Sequence, residues 1–331
     1  MSAHYSIGAA AALFTPLTVG SVVCTAQAAK ATPEQAVDAL NGVFGVHPGA
    51  RAVHAKGVVL NGEFRPAASA AAVSTAPHLQ KTTTPVTVRF SDFAGIPDIP
   101  DTEGLARPHG LAIKFHLPDG RDTDIVAHSF NGFPVATTTE LRDLFFALAK
   151  SGASAPKPTP LDLFLESHPI AKAFLTAPKP EPESFATLPY FGVNSFKFTN
   201  AAGVAVYGRY QILPAAGTIY LPPDQAEKVG PDYLAGEIRR RVAGGPVTFR
   251  LVLQFAKPGD RIDDPSVAWP DDRPTVELGT LAITSVAADS DAEERSLLFL
   301  PGALTEGIEP SDPMIQDRTA AYHVSFQRRN Q

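Results

Sequence analysis

Val86-Thr87-Val88-Arg89-Phe90-Ser91 alternates without a break, placing three apolar side chains on one face of a strand and Thr87, Arg89 and Ser91 on the other. That polar face is a candidate for lining a ligand site. Outward from it the spacing predicts strands over Val53 to Phe64, Pro85 to Phe93, Gly110 to Leu117 and Asp124 to Val135, each bounded by Gly, Pro or Asp turn signals. Helical patterns follow over Thr138 to Lys150 and Leu161 to Phe174, separated by the Pro-rich stretch Ala155 to Pro160, and Lys179 to Pro182 reads as an extended connection. Strand patterning resumes over Val193 to Phe198, Val204 to Ile212, Val247 to Phe255 and Thr275 to Ser285, with a hairpin at Asn200-Ala201-Ala202-Gly203 and one helix between Asp224 and Val242. Thr32-Pro33-Glu34 starts a short amphipathic helix that Gly45 ends, and Pro310-Ser311-Asp312 caps a final helix from Met314 through Tyr322. The expected class is α+β: an antiparallel β-barrel with inserted helices and a C-terminal helix, with a ligand held in the barrel's cavity or mouth.

The 331 residues carry a formal charge of −6 and no block of like charge, which argues against a nucleic-acid partner or an electrostatic membrane surface. With 44% apolar residues the chain can bury a proper core around a small-molecule site. Residues 1 to 28 differ from the rest. An apolar stretch from Ile7 to Val23 ends in Ala26-Gln27-Ala28, the small-x-small pattern of a signal-peptidase site. A cleaved signal peptide over 1–28 leaves one domain over 29–331, periplasmic or secreted, with no stable membrane insertion after cleavage. The single cysteine, Cys24, lies inside that segment. The mature chain then has no thiol, which excludes disulfides, thiolate nucleophiles, iron–sulfur clusters and Cys-ligated zinc. Redox chemistry would have to come from a cofactor.

Two features carry chemistry. Arg318 and Tyr322 are four apart on the last helix, so both side chains share a face and the guanidinium can reach the phenol oxygen. A free phenol ionises near pH ~10, a neighbouring arginine favours its anion, and a phenolate is a hard ligand suited to ferric iron. The second feature is His54 within Arg51-Ala-Val-His54-Ala-Lys-Gly57. Taken alone, the first pair reads as an ordinary helix surface and the second as a structural histidine.

Four ordered motifs remove that ambiguity. Arg51-Ala-Val-His54-Ala-Lys-Gly57, Val88-Arg-Phe-Ser91-Asp-Phe-Ala-Gly95, Gly110-Leu-Ala-Ile-Lys-Phe115 with Asp119-Gly120 and Asp124-Ile-Val126, and Gly307-Ile-Glu-Pro-Ser311 through Met314, Gln316, Arg318 and Tyr322 resemble the haem catalases. The likeness is stronger still to their short relatives, the catalase-related peroxidases, and spans residues 42 to 329. The resemblance implies the catalase-type barrel with a haem-ligating final helix, without the C-terminal extensions of full catalases. It makes Tyr322 the metal ligand of haem b, the catalase case of tyrosine ligation, and Arg318 the residue that keeps it a phenolate. His54 resembles the distal base that moves a proton from one peroxide oxygen to the other, steadied by the Ser91 hydroxyl. Arg51, Arg89 and Arg329 fall where the family pairs arginines with haem propionates, and Val53 and Phe133 at apolar haem contacts.

Two departures stand out. His128 occupies the ungapped place of the family's distal Asn, so it is either a second acid/base group or points away while Asn131 serves. Leu141 stands where a phenylalanine normally lies over the haem. A short chain implies a more open pocket, hence a peroxidase with weak catalase activity, using hydrogen peroxide or an organic hydroperoxide and a small organic reductant, in a possible homo-oligomer. The competing readings are hydroperoxide rearrangement of the allene oxide synthase kind, whose branch carries Thr where this chain has Val53, and a haem-binding protein without turnover. The remaining histidines, His47, His78, His109, His116, His168 and His323, read as surface or turn residues, Asp98 and Asp101 as turn formers, and Trp269 as structural.

Overall fold

The strands predicted from alternation close on themselves. In the computed structural model, which describes Met1 and residues 29–331, the body from Ala31 to Gln331 is built on β1 (Gly57–Pro66), β2 (Thr84–Ser91), β3 (Gly110–His116), β4 (Asp122–His128), β5 (Tyr190–Thr199), β6 (Ala205–Pro214), β7 (Val247–Phe255), β8 (Thr275–Val286) and the short β9 (Ile308–Pro310). All pairings are antiparallel, in the order β4-β3-β2-β1-β8-β7-β6-β5, and a β4–β5 contact at His128 and Phe191 completes an eight-stranded barrel, with β9 added outside on β5. The leader expected over 1–28 lies outside the described residues. Among the described residues no helix is long and apolar enough to cross a membrane.

The helices are α1 (Pro33–Phe44), α2 (Thr138–Ala149), α3 (Pro160–Ser167), α4 (Pro169–Thr176), the single turn α5 (Pro223–Ala226), α6 (Tyr233–Gly244), α7 (Ser290–Ser296) and α8 (Met314–Arg329). Capping boxes start α1 at Thr32 and Gln35 and α2 at Thr137 and Glu140, satisfying backbone donors that the first turn leaves free. The helix expected over 161–174 is two, because Pro169 cannot supply the N–H that would continue the first. The helix expected over 224–242 also breaks, with Pro231 between its two parts.

The strand expected from Val53 starts only at Gly57, and residues 51–56 form a loop in which His54 takes a left-handed φ of 57°. The strand expected to reach Val135 ends at His128. The ligand space is not inside the barrel: Leu60, Phe64, Phe90, Phe115, Ile212 and Phe249 are fully buried and fill the interior. The cavity lies instead against the outer face of β2, β3 and β4, roofed by α1, α2 and α8, with α1 packed on both other helices.

Several polar residues assigned to the surface are buried. His78 packs between the Phe64 and Phe115 rings, and His109 bonds through Nδ1 to Asp92 Oδ1 at 2.9 Å. Asp101 sits in a turn as expected, one that the Glu103 N–H closes on the Pro100 carbonyl, but its side chain is buried. It accepts from Lys56 Nζ and from the Leu234 backbone N–H at 2.8 Å, tying the loop that carries His54 to the start of α6. Trp269 is structural as expected, donating to the Arg261 carbonyl at 2.9 Å beneath the Arg209 guanidinium.

Candidate active site

Strand register assembles the distal wall. Alternation turns Val88 and Phe90 into the barrel and leaves Arg89 and Ser91 facing the helices. Ser91 pairs with Gly110 on β3, and Gly110 pairs with His128 on β4, so Ser91, Gly110 and His128 form one row across three strands. Glycine in the middle of that row makes room for His54: a Cβ at Gly110 would stand 2.6 Å from Ser91 Oγ and 2.8 Å from His54 Nδ1. The loop bearing His54 is clamped to the end of β2 by His54 N–H to the Phe93 carbonyl (2.7 Å) and Ala55 N–H to the Ala94 carbonyl (3.0 Å). A non-glycine residue with positive φ is held only where its surroundings over-determine it.

The hydrogen bonds of His54 fix its tautomer. Its Nδ1 lies 3.0 Å from the Asp92 carbonyl, which can only accept, so Nδ1 carries the proton and shares it with Ser91 Oγ, also at 3.0 Å. Nε2 is therefore the lone-pair nitrogen. Burial, followed by the Arg89 and His128 charges, lowers the ring's pKa to about 3, so the imidazole stays neutral and its lone pair available. His128 lines the same cavity, and both its ring nitrogens are buried without a protein partner. Burial lowers its pKa to about 3 as well.

Another wall is α8. Arg318 Nη2 donates to Tyr322 Oη at 2.9 Å, as the four-residue spacing predicts. The other end of the guanidinium donates to Asn194 Oδ1, whose amide donates in turn to Asp312 Oδ2 at 2.7 Å, while Asp312 Oδ1 accepts the Met314 N–H at 2.9 Å. Asn194, at the irregularity in the β5–β6 pairing, was not visible in the sequence because nothing local couples it to a helix more than a hundred residues away. Tyr322, Arg318, Val53, Phe133 and Leu141 line one cavity with His54 and His128, whereas Asn131 does not.

The three arginines come together at one corner, two of them on a shared carboxylate. Arg51, Arg89 and Arg329 all line the cavity, but Arg51 Nη1 donates to Glu294 Oε2 at 2.7 Å and Arg89 Nε to Glu294 Oε1 at 2.8 Å, while Arg329 donates to the Leu297 carbonyl. Glu294 belongs to α7, an element the sequence reading left out, being too short and polar to show a helical stripe.

The cavity, about 710 Å³, is lined mostly by apolar side chains around these polar groups. Its residues fit a haem on observations independent of any likeness: a phenol with a charged donor on one wall, a neutral imidazole on the other, and three guanidinium groups at one edge, one with an unpartnered Nε. Among the described residues no cluster of three or more His, Cys, Asp or Glu could hold a bare metal ion.

Comparison with known proteins agrees with this geometry. The Catalase family model matches residues 48–330. A catalase-related peroxidase of Mycolicibacterium paratuberculosis is 37% identical over 302 residues, covering 90% of this chain and 95% of the relative. One of Synechococcus elongatus is 32% identical, covering 90% and 88%. Among solved structures, a bacterial catalase superposes with a TM-score of 0.74 at 22% identity, over 85% of this chain and 57% of that one, and a fungal catalase with 0.75 at 20%, over 85% and 59%. With the barrel, the order of the motifs and the facing walls of the cavity all in agreement, the chain belongs to the catalase family.

Proposed function

We propose that the cavity holds haem b and that the chain is a haem-dependent peroxidase, reducing hydrogen peroxide or an organic hydroperoxide at the expense of a small organic donor. The observation that carries this reading is the pairing of Arg318 with Tyr322 across one cavity from a histidine whose free nitrogen is fixed by its Nδ1 bonds. Tyr322 would hold the iron and Arg51, Arg89 and Arg329 the propionates. When bound, the haem would supply the redox chemistry that links two-electron reduction of the peroxide to oxidation of the donor.

The protein's own residues manage position and protons. His54 Nε2 accepts the proton of the near peroxide oxygen and returns it to the far one, so that water or an alcohol can leave. Ser91 and the Asp92 carbonyl keep the ring from turning during the transfer. His128 offers a second imidazole whose unpartnered nitrogens can hydrogen-bond a bound peroxide; His128→Ala should raise KM more than it lowers kcat. Leu105 and Leu175 line the cavity and stay exposed, which gives the mouth an apolar rim suited to an organic donor or hydroperoxide. The same rim favours peroxidase over catalase turnover. The leader supports export to the periplasm or medium.

Steady-state assays on haem-loaded protein test the reading. Dye oxidation should outpace oxygen evolution at equal peroxide, and the reverse would refute the assignment of peroxidase as the main activity.

A further inference from the structure

Three positive charges sit at one edge of the cavity. Arg51 and Arg89 are joined by a single carboxylate: Glu294 Oε2 accepts from Arg51 Nη1 at 2.7 Å and Arg89 Nη2 at 3.0 Å, and Oε1 accepts from Arg89 Nε at 2.8 Å. Arg329 has no carboxylate partner among the described residues and bonds the Leu297 carbonyl. The Arg51 Nη2 group reaches the Glu294 and Leu297 carbonyls, both at 3.0 Å, so α7 and the chain after it hold the whole corner. Glu294 itself does not line the cavity, whereas the three arginines do, so they stand between it and any ligand.

That arrangement is costly unless something completes it. Side chains of Arg89 and Glu294 are only 4% and 14% exposed, and closely spaced buried cations repel. Burial lowers the pKa of Arg329 to about 10, with Arg89 adding to the effect. One glutamate offsets one of three charges. Two remain uncompensated, facing the cavity.

We propose that Glu294 is a resident counter-anion that sets this corner to a charge of two, matching a ligand that presents two carboxylates, and so tunes the site to a dipropionate macrocycle. This rests on the haem reading above and adds a residue to it. Glu294 acts through the arginines and touches no reacting atom, so it is a positioning residue. Without it the empty protein carries three uncompensated charges and the loaded protein one. Loss of Glu294 therefore harms the empty form more than the loaded form, and the stabilisation gained on loading grows.

Thermal unfolding of Glu294→Gln and the parent protein, each empty, with haemin, or with haemin dimethyl ester, reads this without any assay of turnover. The empty variant should melt about 5–10 °C lower. Haemin should recover most of that loss, giving a larger haemin-induced shift than in the parent, while the diester, lacking carboxylates, should shift both proteins equally. Glu294→Asp, which keeps the charge, should hold the haemin shift at the parent value; should Glu294→Gln fail to fold empty, recovery of its fold by haemin but not by the diester reads the same contrast. An equal loss in all three forms would make Glu294 an ordinary structural ion pair and overturn the proposal while leaving the haem reading intact. If the parent protein gains nothing from haemin, the haem reading itself falls and this assignment with it.

Discussion

The two walls of the cavity are built by different means. On α8 the Tyr322 oxygen is steadied by Arg318 one helical turn away, a contact that helix geometry brings within reach and that Asn194 braces from β5. On the facing wall His54 depends on a loop, the end of β2 and a glycine on β3, pieces drawn together only by strand register. A ligand that must stay put is thus supported locally, and a base that must be aimed is supported from several directions. Loss on the first wall should cost the cofactor, and loss on the second should cost turnover.

The sharpest break in that contrast is Tyr322→Phe, which keeps the ring and removes the oxygen. Haem retention should fall by more than the roughly 10–100-fold that loss of an outer partner costs a metal site, with the Soret band lost or shifted in the absorption spectrum. Asn194→Ala, which frees one end of Arg318, belongs in the outer-partner range on the same measurement. Retention of a normal spectrum by Tyr322→Phe would remove the basis of the whole reading.

His54→Ala should do the opposite, leaving haem content and spectrum near normal while peroxide-dependent dye oxidation drops by about 10²–10⁴, the usual worth of a positioned acid/base group. Gly110→Ala is subtler. The added methyl would press on Ser91 Oγ and the His54 ring without reaching the other wall. A displacement of an ångström at a catalytic group can cost about 100-fold, so turnover should fall with haem binding intact. If haem were lost instead, the walls would not be independent.

The sequence was most legible where structure is local. Strand alternation around Arg89 and Ser91, the capped start of α1, and the spacing of Arg318 and Tyr322 depend on neighbours within a turn or two. It was least legible where partners are distant. Glu294 joins Arg51 and Arg89 across more than two hundred residues, Asn194 on β5 meets Arg318 on α8, and Asp101 reaches from its turn to Lys56. The loop at His54 looked like strand because Val53 and its neighbours have strand-like composition. The left-handed φ at His54 is imposed by the clamp to residues 93 and 94 rather than by any residue preference.

The smallest effect separates the distal wall from the barrel interior. His78, like His128, has both ring nitrogens buried without a partner, but its neighbours are Phe64 and Phe115 inside the packed barrel and it does not line the cavity. Burial lowers its pKa to about 3, below the roughly 6.5 of an unfolded histidine. The unfolded chain therefore takes up the proton first. Stability from this residue is complete above pH ~6.5 and is lost as pH falls from there towards about 3. His78→Leu removes both the unsatisfied nitrogens and this proton uptake, so the variant should gain about 1–3 kcal/mol at pH 7 and more at pH 5, read as a rise in urea midpoint. Buried carboxyls raised by burial, Asp92 and Asp124 to about 6 and Asp101 to about 7, work in the opposite sense but are common to both proteins and cancel in the difference. Haem content and turnover should not change. Unpaired imidazole nitrogens would then mark a functional site only where a cavity gives them something to meet, as at His128, and a loss of activity in His78→Leu would tie the barrel interior to the distal wall.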